Sequence, residues 1–152
     1  MDDARWLTPT EQEAWRAYLD STRLLLQALD RQLESAAGLS LVDYEVLVAL
    51  SEAPGRRMRM RDLADATLST RSGATRAVAR LERAGWVRRV ECDNDRRGTE
   101  AELTPEGLAK LTAAAPGHVA AVRANMFDLL TGRQVEQLRV VGSRMREHLR
   151  GG

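Results

Sequence analysis

The sequence of 152 residues has one cysteine, two histidines and no long apolar run, and each shortage excludes a class of protein. A lone cysteine, Cys92, cannot form an intrachain disulfide, and such sparse usage suits a reducing compartment. No apolar segment approaches the roughly 20 residues of a membrane-spanning helix. The first residues carry no apolar segment either, so we expect no secretory signal, no membrane contact and a cytoplasmic location.

Signatures of catalysis and metal binding are also missing. The sequence has no glycine-rich phosphate loop, and no serine or cysteine lies in surroundings that suggest an activated nucleophile. His118 and His148 are too few and too far apart for a metal cluster. We therefore predict that the chain is not an enzyme and holds no metal or other cofactor. Ligand-binding residues are left unassigned.

The distribution of charge is more informative than the net charge of +1. Residues 56–97 contain 12 Arg and no Lys against 6 Asp and Glu, so this segment carries +6 and the rest of the chain −5. A basic segment on an otherwise acidic body is typical of a nucleic-acid-binding face.

The segment that begins near Thr70 predicts an amphipathic basic helix. Apolar residues recur at three-to-four-residue spacing and form one narrow face: Ala74, Val78 and Leu81. We expect Ser69 or Thr70 to cap the N-terminus and Gly85 to end the helix. The opposite face mixes arginine with small hydroxyl residues: Arg71, Ser72, Thr75, Arg76, Arg80 and Arg83. This mixture suits a DNA major groove, because arginine pairs with guanine edges or phosphates; a solvated basic helix is the alternative.

Two short alternating runs, residues 86–92 and 99–104, flank the polar turn DNDRRG and predict a β-hairpin. A hairpin after a groove-reading helix is a wing, and its tip arginines, Arg96 and Arg97, suit the adjacent minor groove. Asp95 is placed to hold Arg97 by a charge-assisted hydrogen bond. An ordinary charged loop is the alternative, because Asp, Asn and Gly form turns in any protein.

The elements before the basic helix complete the order of a winged helix-turn-helix domain. A long helix over residues 8–38 is followed by a helix that Ser40 caps, with Asp43 as its reciprocal partner. A short strand at residues 56–60, with Met58 and Met60 inward, and a brief helix over 61–66 come next. The fold class is therefore mainly α with a small β-hairpin wing.

The elements after the hairpin are two further helices. Thr104 and Pro105 open the first, and Pro116 predicts a kink or a break within it. Thr131 caps the last helix, over residues 132–149. We expect one unit over 1–152, with a winged helix-turn-helix lobe at 39–104 and a helical dimerisation region at 8–37 plus 105–150.

The helices at both ends of the chain carry apolar stripes, and the middle of the chain offers little surface to cover them. Pairing with a second copy would bury both stripes and place two basic helices about one DNA turn apart. We therefore expect a homodimer; an intramolecular helical bundle in a monomer is the competing account. Trp15, Tyr18, Tyr44 and Met126 suit a ligand pocket, but core packing or the dimer interface explains them equally well.

Three segments resemble the MarR family of bacterial transcriptional regulators: LSLVDYEVLVAL at 39–50, RDLADATLSTRSGATRAVARLERAGWVRR at 61–89, and DNDRRGTEAELTPEG at 93–107. The last is the most specific, since an acidic, arginine-rich wing followed by Leu-Thr-x-x-Gly is the family's signature. The resemblance covers nearly the whole chain. Ala79 departs from it, standing where an aspartate is common on the recognition helix.

The resemblance implies a homodimer that binds double-stranded DNA. It carries over the recognition-helix contacts Ser72, Thr75, Arg76 and Arg80. It also implies that Arg97, held by Asp95, enters the minor groove while Arg96 lies on the DNA backbone. Family members often respond to a small molecule, a metal or an oxidant, so an effector of unknown identity is expected. Cys92 is interpreted as a structural strand residue; a redox role near the wing is the alternative.

These observations together predict a sequence-specific DNA-binding transcriptional regulator, a ligand-responsive repressor that binds a palindromic operator. The predicted DNA-binding residues are Arg71, Ser72, Thr75, Arg76, Arg80, Asp95, Arg96 and Arg97. The alternative is a winged helix that mediates protein association without specific DNA binding. Such a module would normally lack groove-facing arginines, which this sequence has.

Overall fold

The computed structural model describes residues 4–92 and 98–151, which form a mainly helical protein with a small antiparallel sheet. The helices are α1 Pro9–Ala37, α2 Leu41–Glu52, α3 Met60–Ala66, α4 Arg71–Arg83, α5 Pro105–Asn125 and α6 Gly132–Arg150. The strands are β1 Arg57–Arg59, β2 Val87–Glu91 and β3 Thr99–Leu103. Short 3₁₀ turns lie at Pro54–Arg56 and Phe127–Leu129. The predicted fold class, a winged helix, is confirmed.

Side-chain caps begin the helices where the sequence predicts them. Ser40 accepts a hydrogen bond from the Asp43 amide at 3.0 Å, and Asp43 accepts one from the Ser40 amide at 3.2 Å, which forms a capping box. Thr131 and Gln134 form a second capping box at α6. Each cap pairs amides that the first helical turn leaves without intrahelical partners.

Helix α5 runs through Pro116, so of the kink or break expected there the break is wrong. Proline removes one amide donor from the helix, a cost of about 3 kcal/mol in a helix interior. Pro116 is exposed, and the buried Leu111 and Ala114 pack the preceding turns against the core. This packing holds those residues helical despite the missing hydrogen bond.

The chain divides into two compact units, each described here by itself: a central unit, Leu29–His118, and a terminal unit of residues up to Ala28 and from Val119 onward. The central unit has a continuous hydrophobic core between helices and sheet. Its largest fully buried side chains are Leu33, Leu39, Leu47, Leu50, Leu63, Leu81, Val46, Val78 and Val87.

The sheet of the central unit has the strand order β1-β3-β2, with all pairs antiparallel. β3 is therefore the middle strand, and Ala101 at its centre is buried between Met58 on β1 and Arg89 on β2. The hairpin of β2 and β3 forms the wing, and β1 closes its other edge.

The terminal unit is built differently. None of its described residues is buried, although α1 and α6 carry apolar stripes as predicted. The stripes flank an open groove of about 1090 Å³, whose apolar lining includes Leu7, Trp15, Tyr18, Leu138, Val141, Met145 and Leu149.

Among the described helices, none is both long and apolar enough to cross a membrane.

Candidate nucleic-acid interface

Helix α4 buries one side and exposes the other, as its sequence predicts. Ala74, Val78 and Leu81 lie in the core, together with Ala77, which the spacing argument missed. The predicted DNA contacts of this helix are all exposed: Arg71, Ser72, Thr75, Arg76 and Arg80. The structure thus brings these five side chains to one solvent-facing surface, which we call the α4 face.

The start of α4 is fixed by Thr70, one of the two predicted caps. Its hydroxyl accepts a hydrogen bond from the Gly73 amide at 3.1 Å and lies 3.1 Å from the hydroxyl of Ser72. Thr75 donates its hydroxyl to the Arg71 carbonyl at 2.9 Å. These local hydrogen bonds limit the rotamers of the two small polar residues on the α4 face.

The arginines of the α4 face differ in what they contact. Among the residues that the structure describes, Arg71 and Arg76 have no carboxylate partner, so their charges are available to an external anion. Arg80 instead donates from Nε at 3.2 Å and from a terminal nitrogen at 2.8 Å to one oxygen of Asp43. Its side chain remains 45% exposed. A DNA contact by Arg80 stays a prediction, and the structure adds a packing role.

Asp43 connects the start of α2 to α4, although only 6% of it is exposed. One oxygen caps the start of α2 through Ser40, and the other binds Arg80 on α4. The Leu41 amide, at the same helix start, donates to Asp30 on α1 at 2.8 Å. A buried carboxylate that is fully hydrogen-bonded fixes geometry, so Asp43 orients α4 relative to α2.

The turn between α3 and α4 is held by Glu45 on α2. Its carboxylate accepts a hydrogen bond from the Leu68 amide at 3.0 Å. Burial raises the pKa of Glu45, and the hydrogen bond from the Leu68 amide opposes that shift. Asp43 and Glu45 therefore contact α4 and the turn that precedes it from a single helix. Sequence spacing alone did not reveal either contact.

Gly85 ends α4 with φ of +79°, as predicted. The Trp86 amide donates to the Leu81 carbonyl and the Gly85 amide to the Glu82 carbonyl, which is the Schellman arrangement. Thr104 donates its hydroxyl to the Gly85 carbonyl at 2.7 Å and accepts from the Gly107 amide at 3.0 Å. The start of α5 is thereby fastened to the end of α4.

Gly107 is required by close packing, which explains the glycine of the Leu-Thr-x-x-Gly element. A Cβ at this position would lie 2.0 Å from the Trp86 carbonyl oxygen and 2.7 Å from a methyl of Leu103. No side chain fits there without moving the backbone. Gly107 therefore fixes how the base of the wing packs against the end of α4.

Glu102 on the middle strand joins the wing to β1. It pairs with Arg88 on β2, whose Nε lies 3.0 Å from its carboxylate, and with Arg57 on β1. Burial favours a raised pKa for Glu102, but the hydrogen bond from Arg88 and the charge of Arg57 outweigh it and lower that pKa. Arg88 and Arg57 are thus engaged within the sheet.

The wing tip, residues 93–97, lies outside the described part of the chain. The predicted minor-groove contacts Asp95, Arg96 and Arg97 fall there and stay predictions. Cys92 lies just before this segment, half-buried, and its amide donates to the Gly98 carbonyl at 3.2 Å. Cys92, interpreted as a structural strand residue, therefore lies one position beyond the end of β2 at Glu91.

The aromatic residues named as pocket candidates separate into two environments. Tyr44 is buried in the central core with its ring centroid 4.3 Å from that of His118. Burial lowers the pKa of His118 and raises that of Tyr44. Trp15, Tyr18 and Met126 instead line the groove of the terminal unit.

Comparison with known proteins identifies a family that the chain matches. Residues 37–98 match the MarR family model. The chain is 49% identical to Sco3205 of Streptomyces coelicolor, a MarR family transcriptional regulator solved in complex with DNA, over 95% of this chain and 94% of that one, with a TM-score of 0.89. It is 46% identical to AbsC, a MarR family transcriptional regulator of the same organism, over 98% of this chain and 100% of that one, with a TM-score of 0.88.

A curated relative matches over a shorter stretch. The transcriptional repressor MprA of Escherichia coli (strain K12) is 32% identical over 101 residues, which is 62% of this chain. The match spans only 57% of the length of MprA. All three proteins are transcriptional regulators, and the two solved structures match the chain along nearly its whole length.

Proposed function

This chain belongs to the MarR family of transcriptional regulators, and from that membership we propose that it binds double-stranded DNA as a homodimer. The operator is a short palindrome, and the bound dimer represses transcription from an overlapping promoter. No catalytic step is part of this function. The chain acts in the cytoplasm, where the DNA is.

One observation carries the proposal: the α4 face is exposed and basic, while Ala74, Ala77, Val78 and Leu81 fix the helix in the core. Arg71 and Arg76 lack carboxylate partners among the described residues, and Thr70 and Gly85 define the ends of the helix. A helix of this kind reads base edges, because its side chains reach the groove floor from a rigid backbone.

The homodimer is supported by the terminal unit. Its groove exposes large apolar side chains, including Val141 at 55% and Leu149 at 73% exposure. A second copy would bury these stripes, and a two-fold dimer would place two α4 helices on half-sites about 34 Å apart. An effector that changes this spacing would release DNA, because both half-sites must be engaged together.

Selection of genomic fragments by the purified protein tests this function. We expect enrichment of a palindrome, with specific binding that weakens as salt concentration rises. Recovery of no sequence, with only weak binding to any duplex, would refute specific DNA recognition and favour a protein-association module.

The variant Arg76→Ala tests the α4 face directly. A bidentate base contact contributes roughly 1 to 3 kcal/mol of discrimination, so the variant should lose preference for the operator over random DNA. Arg31→Ala is the matched control, because Arg31 is an exposed arginine on α1. Equal preference for the operator in Arg76→Ala and the parent would contradict the assignment.

A further inference from the structure

A second basic surface lies next to the α4 face, in the central unit. It is an open cleft of about 440 Å³, lined by Arg59, Arg61 and Arg89 together with Met60, Thr75, Gly98 and Thr99. No carboxylate belongs to the described lining of this cleft. We call it the arginine cleft. None of its three arginines is among the predicted DNA contacts.

The three arginines come from separate elements that the fold brings together. Arg59 ends β1, Arg61 lies in the first turn of α3, and Arg89 lies on β2. Successive strand residues point to opposite faces of a sheet. Arg89 therefore faces away from Arg88, which is bound by Glu102 on the other face.

The arginines of the cleft are weakly compensated. Arg61 Nε lies 3.5 Å from a carboxylate oxygen of Asp62, and Arg89 Nε lies 3.8 Å from one of Glu82. Both distances exceed a good charge-assisted hydrogen bond. Among the described residues, Arg59 has no carboxylate partner. The three arginines of the cleft are thus held only by long ion pairs, at Arg61 and Arg89, or by none among the described residues, at Arg59.

From this arrangement we propose that the arginine cleft binds a backbone phosphate of the DNA whose bases the α4 face reads. The proposal rests on the proposed function and extends it to residues outside α4. Guanidinium groups match phosphate oxygens in geometry and charge, and phosphate contacts fix the register of a protein on the duplex.

DNA phosphate is the ligand favoured by continuity with the α4 face. Thr75 belongs to both surfaces: it is exposed on α4, and it lines the cleft. A duplex placed against the α4 face would carry its sugar-phosphate backbone along the edge of the groove, beside Thr75. The cleft then positions the duplex and contributes no sequence discrimination of its own.

The test compares Arg89→Ala with Arg88→Ala, two charge-matched variants on the same strand. Affinity for the enriched operator and for a random duplex is measured between 50 and 300 mM salt, about the range that resolves counter-ion release. Each phosphate contact contributes about 0.9 to the magnitude of the slope of log affinity against log salt concentration. Loss of one contact per protomer in Arg89→Ala should therefore lower the magnitude of this slope by about 1.8 in a dimer. Arg88→Ala should leave it unchanged.

Arg59→Ala and Arg61→Ala should resemble Arg89→Ala and weaken binding to both duplexes by the same factor. Thermal unfolding of each variant is measured to check that the fold is retained. If the parent binds its operator and the three cleft variants keep the parent's salt slope, the phosphate site is overturned while the proposed function stands. If the parent itself selects no sequence, the proposed function fails. A loss confined to the operator would assign the cleft to base recognition and also overturn the proposal.

Discussion

The central and terminal units differ in how far they bury their apolar residues. The central unit buries nine large side chains almost completely, from Leu33 to Val87, and needs no partner to form a core. No described residue of the terminal unit is buried, although α1 and α6 carry apolar stripes. Burial of apolar surface supplies most of the stability of a fold. In the proposed homodimer the terminal helices obtain theirs from association, which would link the folding of this region to dimerisation.

The largest predicted effect is the loss of the dimer in Val141→Asp. Val141 lines the terminal groove on α6. An unpaired charge buried at an interface costs roughly 3 to 5 kcal/mol, which weakens association more than about 100-fold. Sedimentation equilibrium should show a monomer, and operator binding should be lost. Hydrogen exchange should remain slow in Leu29–His118, because the central core is untouched.

Gln137→Asp is the control for this variant, since it adds the same charge to an exposed position of α6. It should dimerise like the parent. A parent that sediments as a monomer would contradict the homodimer and favour the intramolecular bundle. Loss of exchange protection in the central unit of Val141→Asp would show that this unit does not fold independently.

A smaller effect is expected within the central unit, from Gly107→Ala. The added methyl would lie 2.0 Å from the Trp86 carbonyl oxygen, so backbone at the wing base must shift. Overpacking of this kind costs about 1 to 3 kcal/mol. Urea unfolding at fixed protein concentration measures the change in the free energy of unfolding.

Gly132→Ala at the start of α6 is the matched substitution in the terminal unit. A Cβ there meets no atom within 4 Å. Alanine reduces the freedom of the unfolded chain, so stability should stay equal or rise by about 0.4 to 1 kcal/mol. Equal effects of the two substitutions would show that the close approach at Gly107 carries no constraint.

Local signals in the sequence predicted the elements well, because each depends on neighbouring residues. The caps Ser40, Thr70 and Thr131, and Gly85 at the end of α4, all function as predicted. The α4 face followed from helical spacing. Of the kink or break expected at Pro116, the break was wrong, because helical continuity there depends on tertiary packing as well as on the missing amide.

Contacts between distant residues were not predictable in the same way. Asp43 and Arg80 are 37 residues apart, and nothing in either segment indicates that they meet. The arginine cleft combines β1, α3 and β2, and periodicity within one element cannot reveal such a surface. Gly107 was noted as part of a signature, but the steric reason for it appears only when Trp86 is placed beside it.

The smallest predicted effect concerns His118, beside Tyr44 in the central core. Burial lowers the pKa of His118, so the folded state disfavours its protonation. The unfolded chain binds this proton near pH 6.5, the usual histidine value. The contribution of His118 to stability is therefore complete above about pH 6.5 and is lost as pH falls through the lower pKa of the folded state.

His118→Gln should accordingly flatten the decline in the free energy of unfolding between pH 7 and pH 5, measured by urea titration at a series of pH values. Glu45 contributes in the opposite direction, because its raised pKa makes the folded state bind a proton more readily, and it is unchanged in this variant. His148→Gln, which removes the other histidine from α6, is the control. An identical pH slope in His118→Gln and the parent would show that burial of this ring has no effect on proton binding, and the acid sensitivity of the central unit would then have to arise from its carboxylates.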